Sequence, residues 1–150
     1  MAEIRFYHLT RASLETALPV MLERTLAREQ KAVVQLGSEA RVEALANHLW
    51  TYNDSSFLPH GSSKDGNAAL QPVWLTDADA PAPNGAQVLF LADGAMSERI
   101  ADFDLCAILF DGRDDEAVGE ARAQWKTLKS AGHQITYWQQ NDRGAWEQQA

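Results

Sequence analysis

Short apolar runs alternate along this chain with longer segments in which apolar residues recur at every third or fourth position. The runs are typical of buried β-strands, and the longer segments are typical of helices that bury one face. Two runs, QVLFLA at 87–92 and LCAILF at 105–110, are apolar without interruption, as in central strands covered on both faces. The other predicted strands lie at 4–9, 32–36, 72–76 and 133–139.

Three segments between these strands have the spacing of amphipathic helices. The first contains Pro19, which predicts either a distortion or a helix start close to the proline. The third opens at Asp114 with acidic residues, carries lysines near its end and stops before Gly132, which is the charge order that a helix dipole favours. The predicted helices lie at 14–26, 39–50 and 114–131, with a shorter one expected within 96–103.

Strands that alternate with helices predict an α/β fold, in which right-handed crossovers join parallel strands. We therefore expect residues 1–150 to form one three-layer α/β/α domain around a mainly parallel, mixed sheet. Pro72 restricts its strand to an edge of that sheet or to a strand start. The segment 141–150 is polar apart from Trp146, which predicts a C-terminal tail that frays.

Charge and composition narrow the classes of partner. The 150 residues are 45% hydrophobic and 23% charged, which is enough to bury a sizeable core. The net charge of −8 opposes binding to duplex DNA except at a local patch. Cys106 is the single cysteine, and no stretch has the length of a membrane span or the pattern of a signal peptide. We expect a cytoplasmic protein outside the membrane, with Cys106 buried and inert.

Catalytic and cofactor motifs give only weak signals. No glycine-rich phosphate loop is present, and Gly37 alone cannot cradle an anion. Asp111 follows an apolar strand, as magnesium-binding aspartates do, but it is expected to cap the following turn. The four histidines lack metal-ligand spacing, and the serines lack a nucleophile elbow. We expect no catalytic residue, no metal and no cofactor, and a nucleotide-binding α/β enzyme remains an alternative.

The third predicted helix divides into two faces. Its sheet-facing arc is expected to hold Ala117, Ala121, Gln124 and Leu128. A separate arc places one tryptophan among three cations: Arg122, Trp125, Lys126 and Lys129. The segment 121–141 contains these three cations and no acidic residue. Two interpretations fit: the cations match the helix dipole and snorkel over a half-buried ring, or the face binds an anionic partner.

The polar segment 51–71 is unusually long for a loop inside a compact domain, and such loops are often functional. Within it the sequence Phe57-Leu58-Pro59-His60 is apolar and would be costly to leave in water. Together with Trp50 at the end of the second predicted helix, Phe57 is expected to form an exposed patch that docks a partner. The alternative is that both rings pin the loop onto the core.

Several short motifs together resemble the bacterial DNA polymerase III chi subunit over the whole chain. They are FYxL at 6–9, LW at 49–50, SFLPH at 56–60, PV at 72–73, ARxxWK at 121–126 and AG at 131–132. The combination of LW with FLPH is fairly specific, whereas the helix motif alone would be weak. The resemblance implies a non-catalytic accessory subunit of the clamp loader in DNA replication.

The resemblance also implies two partners. The first is the C-terminal tail of the single-stranded-DNA-binding protein, an acidic segment that ends in an aromatic residue and a free carboxylate. The positions that match the tail-binding helix of the family are Arg122, Trp125, Lys126 and Lys129. The second partner is the psi subunit or another clamp-loader component, received around Trp50, Phe57, Pro59 and His60. Direct binding to single-stranded DNA remains a further alternative.

Overall fold

The computed structural model describes residues 3–10, 13–51, 59–143 and 145–149, and within these ranges one seven-stranded sheet has the order β3-β2-β4-β5-β1-β6-β7. Every neighbouring pair of strands is parallel except β6 and β7. The predicted α/β fold with a mainly parallel, mixed sheet is confirmed. The strands are β1 (Glu3–Leu9), β2 (Ala32–Gln35), β3 (Val73–Thr76), β4 (Val88–Leu91), β5 (Leu105–Asp111), β6 (Gln134–Gln140) and β7 (Trp146–Gln148).

Three α-helices, α1 (Leu14–Ala27), α2 (Glu39–Thr51) and α3 (Asp115–Ser130), cover the described sheet from both sides. Side chains of β1 alternate between the two faces, as a strand requires. Leu9 packs in the cluster that contains α1 and α2, whereas Ile4 and Phe6 pack in the cluster that contains α3. The central strands β4 and β5 are almost wholly buried, as their uninterrupted apolar runs predict.

Two local predictions are wrong. Residues 96–103 contain only a turn of 3-10 helix, Ile100–Asp102, in place of the expected short α-helix. The expected frayed tail is ordered as β7 over Trp146–Gln148, which pairs antiparallel with β6. Trp146 packs in the cluster beneath α1, so burial of this one aromatic ring holds the polar strand against the sheet. None of the helices in the described ranges has the length and apolar character that a membrane span requires.

Pro19 lies inside α1 and is buried. Proline has no backbone N–H, so the carbonyl of Glu15, four residues earlier, loses its helical donor. His48 of α2 replaces that donor: its Nε2 lies 2.6 Å from the Glu15 carbonyl oxygen. The helix therefore begins at Leu14 and continues through the proline, and the alternative start close to Pro19 is wrong.

We predict that His48→Leu lowers the free energy of unfolding by about 1–3 kcal/mol, because the Glu15 carbonyl is left without its donor. Pro19→Ala returns a backbone N–H to α1, so the loss caused by His48→Leu should be smaller in that background. Denaturant unfolding of the wild type, both single variants and the double variant measures this coupling. Additive effects of the two substitutions would contradict the assigned role of His48.

Candidate functional site

The C-terminal half of α3 presents three cations to solvent. The helix starts at the N-cap Asp114, whose carboxylate accepts a 3.0 Å hydrogen bond from the Glu116 backbone N–H. Arg122, Lys126 and Lys129 are exposed further along the helix, as predicted. We call these three residues and Trp125 the α3 face.

Trp125 is half-buried and its ring is held by the sheet. The ring centroid lies 5.4 Å from that of Phe6 on β1 and 6.1 Å from that of Tyr137 on β6. Ala121 is the buried residue of the helix, and the other members of the predicted sheet-facing arc, Ala117, Gln124 and Leu128, are half-buried. Trp125 therefore belongs both to the core and to the cationic face, as the interpretation with a half-buried ring predicted.

His8 and Tyr137 lie beneath the α3 face and were not identified from the sequence. The His8 Nδ1 and the Tyr137 hydroxyl form a hydrogen bond. Burial raises the pKa of the Tyr137 phenol, and the charge of Arg122 acts in the opposite direction, which places the guanidinium within electrostatic reach of the phenol. The strand alternation of β1 and β6 could have indicated them, because it directs both side chains to the face that α3 covers.

The three cations repel one another along the helix. Arg122 and Lys126 are four residues apart and Lys126 and Lys129 are three apart, spacings at which like charges on a helix destabilise it. No ion pair within the described part of the chain involves any of the three. The α3 face therefore concentrates positive charge that an anionic ligand can neutralise, with an aromatic ring beside it.

The second predicted surface lies at the end of α2. The Trp50 side chain is 51% exposed, and its ring centroid lies 4.5 Å from that of His60. His60 is buried, and its Nε2 lies 3.0 Å from the Ala46 carbonyl oxygen. Pro59 is half-buried, and Phe57 lies outside the described residues. The structure thus brings Trp50, Pro59 and His60 together.

Backbone pairing fixes this second surface beside the edge strand β3. Gly61 forms a parallel bridge with Trp74, in which the Gly61 N–H donates to the Val73 carbonyl at 3.0 Å and the Leu75 N–H donates to the Gly61 carbonyl at 2.9 Å. The surface around Trp50 therefore lies at β3, whereas α3 covers β5 and β6 on the opposite face of the sheet. The two candidate surfaces are separate.

A crevice of about 750 Å³ opens at the carboxyl ends of β1, β4 and β5, where open α/β sheets commonly bind ligands. Its described lining includes six carboxylates: Glu15, Asp93, Asp111, Asp114, Glu116 and Glu120. Arg41 in the lining is paired with Asp93 at 2.8 Å and Glu15 at 3.0 Å, and Arg113 is paired with Asp111 at 3.3 Å. Carboxylates repel phosphates, so the charge of this crevice disfavours a nucleotide.

Two smaller predictions about single residues are confirmed. Asp111 caps the turn after β5, because its Oδ1 accepts a 2.9 Å hydrogen bond from the Arg113 backbone N–H. Cys106 is fully buried in β5, and burial raises the pKa of its thiol, which opposes formation of the reactive thiolate. Neither residue belongs to one of the two candidate surfaces.

Comparison with known families gives the deciding observation. The family model described as DNA polymerase III chi subunit, HolC, matches residues 1–136. The chain belongs to the DNA polymerase III chi subunit family. It is also similar to a protein of Rickettsia prowazekii (strain Madrid E) named probable DNA polymerase III subunit chi, with 32% identity over 91 residues. That alignment covers 61% of this chain and 54% of the relative, so it spans about half the length of that relative.

The match confirms the family that the short motifs predicted. The matched residues include α2 and α3, and hence the residues of both candidate surfaces, whereas β7 lies beyond them. The family match therefore covers the segments that carry both candidate surfaces. The roles of these residues remain predictions.

The His8–Tyr137 pair beneath the α3 face predicts a pH-dependent stability. The pKa of His8 is lowered, first by burial, while a backbone hydrogen bond with Gly112 and the charge of Asp111 act in the opposite direction. The folded-state pKa thus lies below the value of about 6.5 for an unfolded histidine. Neutral His8 therefore contributes fully to stability above the unfolded-state pKa, and this contribution is lost as the pH falls through the folded-state pKa.

We therefore predict that acidification from about pH 7.5 to about pH 5 destabilises the wild type more than His8→Gln, which cannot titrate. Urea unfolding of both proteins across this range measures the difference in unfolding free energy. A difference that does not change with pH would show that burial does not lower the pKa of His8.

Proposed function

We propose that this chain is a non-catalytic accessory subunit of the DNA polymerase III clamp loader. In this proposal it links the clamp loader to the single-stranded-DNA-binding protein by binding the acidic C-terminal tail of that protein. One observation carries the proposal: three cations with no ion pair to any described residue lie along one face of α3 around a half-buried tryptophan, in a chain whose net charge is −8. Membership of the chi family supports a role in DNA replication.

The chemistry of the α3 face suits a segment that ends in an aromatic residue and a free carboxylate. Arg122 can bind the terminal carboxylate with two parallel hydrogen bonds, and Lys126, one turn further on, adds a second positive charge. Trp125 offers an apolar surface that Phe6 and Tyr137 already hold in place. Because the ring does not have to be ordered on binding, the entropic cost of association is small.

Lys129 has a different role in this proposal. It lies nearest the end of the helix, where the described structure gives it no aromatic contact, and it adds long-range attraction for the acidic residues that precede the tail end. Attraction of this kind between exposed charges is screened by salt, because the Debye length is about 10 Å at 0.1 M ionic strength. Its contribution to affinity is therefore small compared with that of Arg122.

The surface around Trp50 is proposed to hold the clamp-loader component, either the psi subunit or another subunit. A tryptophan that is 51% exposed beside a buried histidine is a typical anchor of a protein interface. Pro59 lies next to it, and we propose that Phe57 completes the patch. Because the two surfaces lie on different faces of the sheet, both partners can bind at the same time.

Arg122→Ala and Lys126→Ala should each weaken binding of the free-acid tail peptide at least about tenfold, since a charge-assisted hydrogen bond contributes roughly 1.5–3 kcal/mol. The double variant should bind almost nothing. Lys129→Ala should lose little affinity, and mostly at low salt. Lys64→Ala is the matched control, because it removes an exposed cation that lies outside the α3 face and lines neither the crevice nor any cationic groove described for the chain. Titration calorimetry measures each affinity.

A tail peptide amidated at its C-terminus isolates the terminal contact, because it keeps every side chain and loses only the end charge. We expect it to bind the wild type much more weakly than the free acid, and to be less sensitive than the free acid to Arg122→Ala. Equal affinities of the amidated and free-acid peptides would rule out recognition of the terminal carboxylate by this face.

Trp50→Ala should abolish association with the clamp-loader component and lower the free energy of unfolding by only about 1 kcal/mol, because half of the side chain is already exposed. Met96→Ala is the control, since Met96 is a large apolar residue that is 67% exposed at the acidic crevice. Gel filtration with the purified component measures association, and thermal unfolding measures stability. A loss of several kcal/mol in the free energy of unfolding would show that the ring serves the core. Association that survives in Trp50→Ala would show that Trp50 does not anchor the partner.

A further inference from the structure

A second cationic groove lies on the side of the sheet opposite to α3. On this side of the sheet α1 contacts α2, β2 and β5, and α2 contacts β3. The strands β1, β6 and β7 continue the sheet beyond α1, so their side chains on this side form the floor of a groove beside the helix. The groove between this floor and α1 has a volume of about 690 Å³. Neither candidate surface of the proposed function contributes to it.

Three aromatic side chains from neighbouring strands form the floor. Tyr7 of β1 stacks against Trp138 of β6 with ring centroids 6.3 Å apart and an interplanar angle of 27°. Trp146 of β7 meets Tyr7 edge-on at 5.0 Å. All three rings are half-buried, so each keeps part of its surface open to the groove. Trp146 belongs to β7, the strand that the sequence did not predict.

Arginines surround this floor. Arg24 and Arg28 lie one turn apart at the end of α1 and are exposed, with no ion pair to any described residue. The Arg5 guanidinium is paired with Glu3 at 3.3 Å and lies 5.6 Å from the Trp138 ring centroid, and its buried Nε has no hydrogen-bond partner among the described residues. The described lining of the groove contains these three arginines and no carboxylate, in a chain with 21 acidic residues.

We propose that this groove binds a short segment of single-stranded DNA, with its phosphates on Arg24 and Arg28 and its bases stacked on Trp138 and Trp146. Phosphates are suitable anionic partners for Arg24 and Arg28. Because every base offers a face for stacking, binding should not depend strongly on sequence. Exposed sheet faces that combine aromatic rings with cations are a recurrent way to bind single strands. A duplex is excluded, because its bases are already stacked and paired.

The aromatic floor favours a nucleic acid over an acidic peptide. A peptide carboxylate would use the arginines but would gain nothing from the three rings, whereas stacking contributes roughly 1–3 kcal/mol per base. The overall charge of −8 repels a long polyanion, so the contact should be limited to a few nucleotides and should weaken steeply with salt. The groove and the α3 face lie on opposite sides of the sheet, so this inference is independent of tail binding.

The test uses a fluorescently labelled oligodeoxythymidine of about ten nucleotides, within the usual site size of single-strand binders, and the full chain. Fluorescence anisotropy should detect binding at low salt, and quenching of tryptophan emission should accompany it. The double variant Arg24→Gln/Arg28→Gln should bind at least about tenfold more weakly, and its slope of log affinity against log salt should be shallower by roughly 1.4, the value for two phosphates. Trp138→Leu should reduce the affinity while it leaves the salt slope unchanged, and it keeps the Trp146 ring that holds β7 on the sheet.

Lys64→Gln/Arg99→Gln is the matched control, because it removes the same charge from residues outside the groove and should keep the wild-type affinity. Absence of binding at low salt would overturn the proposal, as would equal loss in both double variants. A labelled oligoglutamate peptide that binds as tightly as the oligonucleotide, and loses affinity in Arg24→Gln/Arg28→Gln, would assign the groove to an acidic peptide and would also overturn it.

Discussion

A parallel sheet must be covered on both faces, because its strands bury apolar side chains on each side. This chain meets that requirement at β4 and β5, but its described α-helices are three for a sheet of seven strands. One helix, α3, covers β5 and β6, and among the described helices only α1 borders the opposite side of β1, β6 and β7, where it forms one wall of the groove. The incompletely covered parts of the sheet carry the half-buried aromatic rings, Trp125 on one face and Trp138 and Trp146 on the other. The surfaces proposed to bind partners therefore lie where the described helices leave aromatic side chains of the sheet half-buried.

Charge is segregated in a way that the net value of −8 conceals. Carboxylates gather at the crevice on the carboxyl edge of the sheet, where they neutralise Arg41 and Arg113. Cations without an ion pair in the described part of the chain instead lie on α3 and at the end of α1, each time beside aromatic side chains. A ligand with negative charge is thus repelled from the usual nucleotide position of an α/β fold and attracted to the two faces of the sheet. This distribution supports the proposal that a chi-family protein with a net charge of −8 binds anionic partners.

Periodicity and apolar runs predicted six of the seven described strands, the main helices and the parallel sheet, because these features depend on local sequence and burial. Three features depended on contacts between distant residues and could not be read in this way. His48 completes the helix around Pro19, Trp146 orders β7, and His8 bonds Tyr137 beneath the α3 face. The cations of α3 were predicted from spacing alone, but the packing of Trp125 on Phe6 required the sheet. The acidic character of the crevice likewise appears only when separate turns converge.

We propose that the acidic tail binds α3 and no other surface. The indole signals of the five tryptophans can show where the tail binds. Their side chains are distributed over the surfaces described above: Trp50 at the end of α2, Trp74 on β3, Trp125 on α3, and Trp138 and Trp146 at the groove. A nitrogen–proton NMR spectrum resolves the indole N–H signals during titration with the free-acid tail peptide. The account predicts a large, saturable shift of the Trp125 signal with the signals of Trp50, Trp138 and Trp146 nearly unmoved. A shift confined to Trp138 and Trp146, or an unmoved Trp125 at saturation, would contradict it.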